Sequence, residues 1–201
     1  VETIEMSGVA VPDGLEPGAL SMSLTDRDGD ALPELWAAGL GWVAVWPNEG
    51  GVFGDVEWVT TPDDFGAGIY MSFALGDVDG DHDLDVAVSP LGPLETLMES
   101  MQSHDAPPKA VTQILYDEES GWQSAVLGDP DGQTAATTLR FSDFNGDGDL
   151  DLMVPGDRRY PLSMWSNLGG DDGDRPAFVD VAGVLGIDTQ ISGMGIADAD
   201  F

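Results

Sequence analysis

Four short acidic segments in this chain place oxygen-bearing side chains at one recurring spacing. They begin at residues 26, 77, 143 and 198. Side chains at segment positions one, three, five and nine are Asp26, Asp28, Asp30 and Glu34; Asp77, Asp79, Asp81 and Asp85; and Asp143, Asn145, Asp147 and Asp151. The fourth segment contributes Asp198 and Asp200 before the sequence stops. Carboxylates this close repel one another unless a cation lies among them, and Ca²⁺ takes roughly six to eight oxygen ligands. The spacing therefore predicts three Ca²⁺ sites and an incomplete fourth.

The acidic segments recur with a period of roughly fifty to seventy residues, which is typical of propellers and solenoids. Apolar residues alternate with small or polar ones before each segment, and period two predicts a strand with one buried face. These apolar residues are Leu20, Met22 and Leu24; Met71, Phe73 and Leu75; Leu139 and Phe141; and Met194 and Ile196.

Three further strand-like runs follow each of the first three segments. They cover residues 35–38, 43–46 and 56–59; 86–88, 112–116 and 122–126; and 152–154, 162–165 and 178–181. Four short antiparallel strands per repeat predict a β-propeller blade. We therefore expect an all-β partial propeller, in one domain over 1–201, with three full blades and the start of a fourth. The units are approximately 1–60, 61–127, 128–182 and 183–201.

An insertion over 91–110 lengthens the second unit. Its apolar residues from Leu94 to Met101 recur at helical spacing, and Pro107 and Pro108 follow. The pattern predicts a short amphipathic helix on a loop. We expect its Leu/Met face to pack on the adjacent blade.

The strand, acidic loop and apolar strand together resemble the FG-GAP/VCBS repeat, found in integrin α-subunit propellers and many bacterial surface proteins. The third copy carries the likeness best, as Asp143-Phe-Asn145-Gly-Asp147-Gly-Asp149-Leu-Asp151. The resemblance implies that side chains at positions one, three, five and nine bind Ca²⁺. It also implies a backbone carbonyl ligand at position seven, from Leu32, Asp83 and Asp149. Glu34 departs from the pattern, which has Asp at position nine.

The acidic loops have two other interpretations. An EF-hand needs Gly at position six and an acidic ligand at position twelve. Position twelve is Ala37, Val88 and Val154, and glycine occupies position four instead. The loops could also be solvated acidic turns without metal, but four copies in register with strand patterns argue against that.

The composition of the chain limits the kinds of partner that it can bind. Asp and Glu number 38 against six Lys and Arg, giving a net charge of −32. Such a surface repels nucleic acid and anionic membranes. A halophilic source and a calcium-rich extracellular medium are both consistent with it. The absence of cysteine excludes disulfides and thiolate metal sites, and no apolar run reaches transmembrane length.

Few residues outside the loops could do catalysis. The two histidines are His82, inside the second loop, and His104, inside the insertion, and we expect both at the surface. No nucleophile elbow, phosphate-binding Gly-rich loop or His-pair metal motif is present. The chain has enough carboxylates to supply the carboxylate pair of a glycosidase. We predict a protein that is not an enzyme.

The six tryptophans are a second set of candidate functional residues. Trp46 and Trp165 occupy equivalent repeat positions and are predicted in the core between blades. Trp42 follows a Gly-Leu-Gly turn and is the better candidate for an exposed ring that stacks on a sugar or anchors a protein.

We therefore expect a secreted or cell-surface segment that binds protein or glycan in adhesion or assembly, with structural Ca²⁺. We also expect another polypeptide or further repeats to complete the propeller. The alternative is an accessory propeller region of a larger extracellular enzyme, such as a polysaccharide-degrading protein.

Overall fold

The computed structural model describes residues 18–60, 68–92, 94–103, 111–128, 136–156, 160–170, 174–189, 193 and 195–197. Within these residues, twelve strands form three four-stranded antiparallel sheets, with almost no helix. The predicted all-β class and the four-strand repeat are confirmed. The sheets do not close into a ring within this part of the chain.

Each sheet is a meander, because strands that follow one another in sequence are neighbours in space. The first sheet contains β1 (Ala19–Thr25), β2 (Glu34–Gly39), β3 (Val43–Trp46) and β4 (Glu57–Thr60). The second contains β5 (Phe73–Gly76), β6 (Asp85–Val88), β7 (Gln113–Tyr116) and β8 (Gln123–Val126). The third contains β9 (Arg140–Ser142), β10 (Asp151–Val154), β11 (Ser163–Asn167) and β12 (Phe178–Asp180).

The strand register also repeats. The residue after loop position nine pairs with a large apolar residue on the third strand in every sheet. These pairs are Leu35 with Trp46, Val86 with Leu115, and Leu152 with Trp165. Equivalent side chains therefore lie on equivalent faces of the three sheets.

The sheets stack face to face through two apolar clusters. The cluster between the first and second sheets includes Trp36, Val43, Val45, Tyr70, Phe73, Val86 and Leu115. The cluster between the second and third sheets includes Ala87, Ile114, Tyr116, Leu139, Leu152 and Val154, with Trp165 packed against it. Burial of these faces is the main force that holds the sheets together.

The first strand of the first sheet does not bury the face that its pattern predicts. Met22 is 68% exposed and Leu24 is 61% exposed, whereas Phe73, at the position equivalent to Met22, is 8% exposed. The buried-face prediction is wrong for Leu20, Met22 and Leu24. They pair with β2 on the face that points away from the second sheet, and no described sheet packs there.

Trp42 is buried rather than exposed, so the prediction that its ring is available to a ligand is wrong. Its side chain is 5% exposed and lies edge-on to both Trp46 and Trp58. Gly41, with φ of 84°, turns the chain back so that the ring covers its own sheet. Trp46 is buried, and Trp165 is partly buried against the cluster between sheets two and three.

Two helices accompany the sheets in the described residues. Helix α1 (Leu94–Ser103) confirms the helix predicted in the insertion, and its Met98 is half exposed. Residues 104–110, with His104, lie outside the described residues. Helix α2 (Ala182–Leu185) was not predicted; it is one turn long and ends at Gly186 in the left-handed region.

Candidate metal centre

The three complete acidic loops occupy the same place in the three sheets. Each joins the first two strands, β1 to β2, β5 to β6, and β9 to β10. Their turns are built by the same hydrogen bonds. The position-one carboxylate accepts from the backbone N–H of positions four and six in every loop, as Asp77 does from Gly80 at 2.8 Å and His82 at 3.1 Å. The acidic side chains therefore shape the turn as well as line it.

Two residues of each loop adopt the left-handed backbone region. At position four these are Gly29, Gly80 and Gly146, with φ between 76° and 79°. At position six they are Ala31 at 69°, His82 at 78° and Gly148 at 99°. Left-handed residues at positions four and six turn the N–H groups of positions four to six inward, so that the loop curls around its acidic side chains.

Carboxylates at positions one, three and nine converge in the first two loops. Oxygens of Asp26, Asp28 and Glu34 lie within 4.8 Å of one another, and those of Asp77, Asp79 and Asp85 do the same. An arrangement with only oxygen donors suits a hard divalent cation such as Ca²⁺. Two acidic clusters that could hold a metal ion are therefore present, at the loops that the sequence indicated.

Position nine is the buried member of each site. Glu34 is 5% exposed, Asp85 is 1% exposed and Asp151 is fully buried. Each accepts a hydrogen bond from the backbone N–H of position two in its own loop, from Arg27 at 2.6 Å, Val78 at 3.0 Å and Phe144 at 3.1 Å. These bonds close the loop and hold the carboxylate at the base of the site.

Burial without a cation disfavours the charged form of these carboxylates. Desolvation raises the pKa of Asp85 to about 8, and the negative charge of Asp79 adds to the rise. Desolvation also raises the pKa of Asp151, and the pKa of Asp79 is raised by desolvation and then by the charge of Asp81. A cation at the second loop would reverse the effect, because it favours the ionised form.

The third loop is built alike but carries an amide at position three. Asn145 accepts from Asp147 N–H at 2.9 Å, and its amide donates to the Asp147 side chain at 2.7 Å and to Ser166 Oγ at 3.3 Å. Asp143 and Asp151 supply the carboxylates at positions one and nine. The amide lowers the negative charge of this loop by one relative to the second.

Positions five and seven play a different part in the described geometry. The carboxylates of Asp30, Asp81 and Asp147 accept from the backbone N–H of position seven, at Leu32, Asp83 and Asp149, over 2.7 to 3.0 Å. Position five is not among the converging carboxylates of the first two loops. Its role as a ligand, and that of the position-seven carbonyls, stay predictions. Asp198 and Asp200 lie outside the described residues.

The first site opens to solvent through a cavity of about 460 Å³. Its lining includes Arg27, Asp28, Asp30, Glu34, Asn48 and Glu49. An ion can therefore enter without a change in the packed sheets. His82 of the second loop points into solvent, with its side chain 94% exposed, as its position in the sequence predicted.

Comparison with family models finds no match for this chain, and comparison with curated proteins finds none either. The resemblance to the FG-GAP/VCBS repeat therefore stays a prediction that rests on the loop residues. Neither described helix has the length and apolar character needed to span a membrane.

Sequence reasoning missed the residues that tie the loops to neighbouring sheets. Arg27 donates to both Glu57 and Asp117, and Asn167 donates to the Val78 carbonyl at 3.0 Å. The only sequence signal was the recurrence of Asn48 and Asn167 two residues after equivalent tryptophans. These partners of Arg27 and Asn167 lie 30 to 90 positions away in the chain, so no local pattern reveals them.

Proposed function

We propose that this chain is a calcium-binding β-sheet repeat module in which each ion fixes the first hairpin of a sheet. The observation that carries the proposal is the convergence of carboxylates from positions one, three and nine in two separate loops. Ca²⁺ is favoured over softer metals because every converging donor is oxygen and cysteine is absent.

The ion's role is structural. The position-nine carboxylate begins the second strand of each sheet, and position one directly follows the first strand in all three. Binding energy that is available only to the folded chain adds to its stability, by about 2.7 kcal/mol per site when free Ca²⁺ is 100-fold above Kd. No step of chemical catalysis is assigned to the site, and we propose a protein that is not an enzyme.

Calcium titration with matched variants tests this function. Asp79→Asn removes a converging carboxylate, whereas Asp83→Asn removes the same charge from an exposed side chain of the same loop. We expect isothermal titration calorimetry to show one fewer site, or at least tenfold weaker binding there, in Asp79→Asn. Asp83→Asn should retain the site. Equal behaviour of the two variants would mean that Ca²⁺ responds only to overall charge.

The stacking of the sheets supports a β-propeller segment completed by other polypeptide. The exposed Leu20, Met22 and Leu24 face is equivalent to the faces that the second and third sheets bury against their predecessors. A large exposed apolar face commonly marks an interaction site. We infer that a further sheet of the same kind covers it, in a secreted or cell-surface protein that binds protein or glycan in adhesion or assembly.

The second candidate is an accessory region of a larger extracellular enzyme, such as a polysaccharide-degrading protein. The abundance of carboxylates supports this candidate, because glycosidases use carboxylate pairs. A glycan-binding screen of the calcium-loaded chain, paired with an assay for polysaccharide cleavage, separates the two. Calcium-dependent binding without turnover supports the binding module, and cleavage by this chain alone would contradict the non-enzymatic assignment.

A further inference from the structure

Asn167 connects the third sheet to the acidic loop of the second. Its backbone N–H donates to Asp151 Oδ1 at 2.8 Å, and its side-chain amide donates to the carbonyls of Val78 at 3.0 Å and Leu150 at 3.2 Å. Its own oxygen accepts from Gly169 N–H at 2.9 Å. The side chain is 1% exposed, and its amide donors and its oxygen all have hydrogen-bond partners inside the protein.

The bond to Val78 leads directly to the second site. Val78 is the second residue of its loop, and its N–H donates to Asp85 Oδ2 at 3.0 Å. One continuous path therefore joins the position-nine carboxylates of the second and third loops. It runs from Asp85 through Val78 and Asn167 to Asp151.

The same path recurs between the first and second loops with different chemistry. Asp117 holds the position equivalent to Asn167, and its N–H donates to Asp85 Oδ1 at 3.2 Å. Its carboxylate accepts from the Arg27 side chain, and Arg27 N–H donates to Glu34 Oε2 at 2.6 Å. An ion pair thus replaces the amide-to-carbonyl bond while the connection stays the same.

Asn48 is the equivalent residue of the first sheet and provides a natural comparison. Its amide donates to the Pro33 carbonyl at 3.0 Å, as Asn167 does to Leu150, and its oxygen accepts from Gly51 N–H at 2.7 Å. Among the described residues, its hydrogen bonds stay within its own sheet. Asn48 therefore makes the hydrogen bonds within its own sheet but, in the described part of the chain, lacks the bond to a neighbouring sheet.

We propose that Asn167 couples the second and third metal sites, so that an ion in one loop strengthens binding in the other. An ion that orders Asp151 also fixes Asn167, whose amide then restrains Val78. The Val78 to Asp85 segment has less conformational freedom left to lose when the second ion binds, and this favours positive cooperativity. The inference rests on the proposed calcium-binding function and deepens it.

Site-resolved NMR titration tests the coupling. The amides of Gly80 and Gly146 donate to the position-one carboxylates Asp77 and Asp143, so each reports on its own loop. Asp143→Asn weakens the third site. We expect this change to raise the apparent Kd for Ca²⁺ at Gly80 by at least about fivefold, the lower end of typical allosteric coupling. In an Asn167→Ala background, Asp143→Asn should leave the Kd at Gly80 unchanged.

The comparison separates the path from simple charge effects. Charge repulsion between the sites is present in both backgrounds, whereas the amide path is present only when residue 167 is Asn. An equal effect of Asp143→Asn in both backgrounds, or no effect in either, overturns the coupling while leaving the calcium sites in place. If neither glycine amide responds to Ca²⁺, the proposed function fails and the coupling fails with it.

Two further variants control for folding and for local packing. Asn48→Ala removes the equivalent amide without a cross-sheet bond, and Asp143→Asn should still weaken binding at Gly80 in that background. Asn167→Leu keeps a similar size without adding a charge but lacks the donor amide. It replaces Asn167→Ala if the alanine variant does not give a folded spectrum, and the same loss of coupling is expected.

Discussion

Arg27 of the first acidic loop and Asp117 at the end of β7 form an ion pair that links two sheets across 90 positions of the chain. The guanidinium also bonds Glu57 and lies over the rings of Trp36 and Trp122, 5.8 and 5.5 Å from their centroids. A planar cation between two rings and two carboxylates cannot be replaced by lysine without losing the bidentate contact. This pair is a direct polar contact between the first two sheets.

We expect Arg27→Ala to lower the free energy of unfolding by about 2–3 kcal/mol, because it leaves the partly buried Asp117 without its cation. The matched control is Glu118→Ala, which breaks an ion pair with Arg175 whose side chains are more than a third exposed. That change should cost no more than about 1 kcal/mol. Urea unfolding at equal Ca²⁺ concentrations measures both. Equal costs for the two variants would contradict the special role of the Arg27 pair.

Removal of Ca²⁺ should make stability fall as pH rises, whereas the calcium-loaded chain should show little dependence on pH from Asp85. The pKa of Asp85 is about 8 in the folded metal-free chain, against 3.8 ordinarily. Between pH 4 and 8 the folded state therefore holds a proton that the unfolded state has released, and metal-free stability falls as pH rises. Calcium binding must displace that proton, so affinity at the second loop should rise about tenfold per pH unit below pH 8.

Thermal melting from pH 5 to 8, with Ca²⁺ and with chelator, checks this pH prediction. Asp85→Asn is the informative variant, because it removes the titrating group and should flatten the metal-free slope. It should also weaken calcium binding at the second loop. A metal-free melting temperature that rises steadily across this range in the unmodified chain would show that burial of Asp85 does not control the titration.

Glycine should stabilise the first loop at position six. Ala31 has φ of 69°, where an L-residue costs about 1–2 kcal/mol, offset in part by the greater chain entropy of glycine. We expect Ala31→Gly to raise the free energy of unfolding by about 0.5–1 kcal/mol, as measured by urea unfolding. Gly29→Ala, two residues earlier at φ of 76°, is the opposite control and should be destabilising. A loss of stability in Ala31→Gly would count against the left-handed conformation.

The open face of the first sheet predicts a contrast between equivalent residues. Met22 and Phe73 each lie four residues before their loop, and they are 68% and 8% exposed. Met22→Ser should change the free energy of unfolding by no more than about 0.5 kcal/mol. Phe73→Ser should cost about 3–5 kcal/mol, as core truncations do. Similar costs would indicate that the Met22 face is covered in solution, which analytical ultracentrifugation would then examine as self-association.

The sequence by itself determined the local structure and the chemistry of the loops. Alternation of apolar residues placed the strands within a few positions, because each strand needs one face against a core. The spacing of Asp77, Asp79 and Asp85 within one short turn brings their carboxylates together. Glycine recurs at position four of each loop, where the backbone is left-handed. All of these are properties of segments shorter than a dozen residues.

Only the tertiary structure decided which sheet faces are covered and which loops are joined by hydrogen bonds. The alternation before the first loop is the same as before the second, yet Met22 is exposed and Phe73 is buried, because burial depends on a neighbouring sheet. Trp42 looked available in sequence, but the turn at Gly41 folds it onto Trp46 and Trp58. The Asn167 to Val78 bond spans 89 positions. Contacts at such separations are set by the stacking of sheets, which no local pattern encodes.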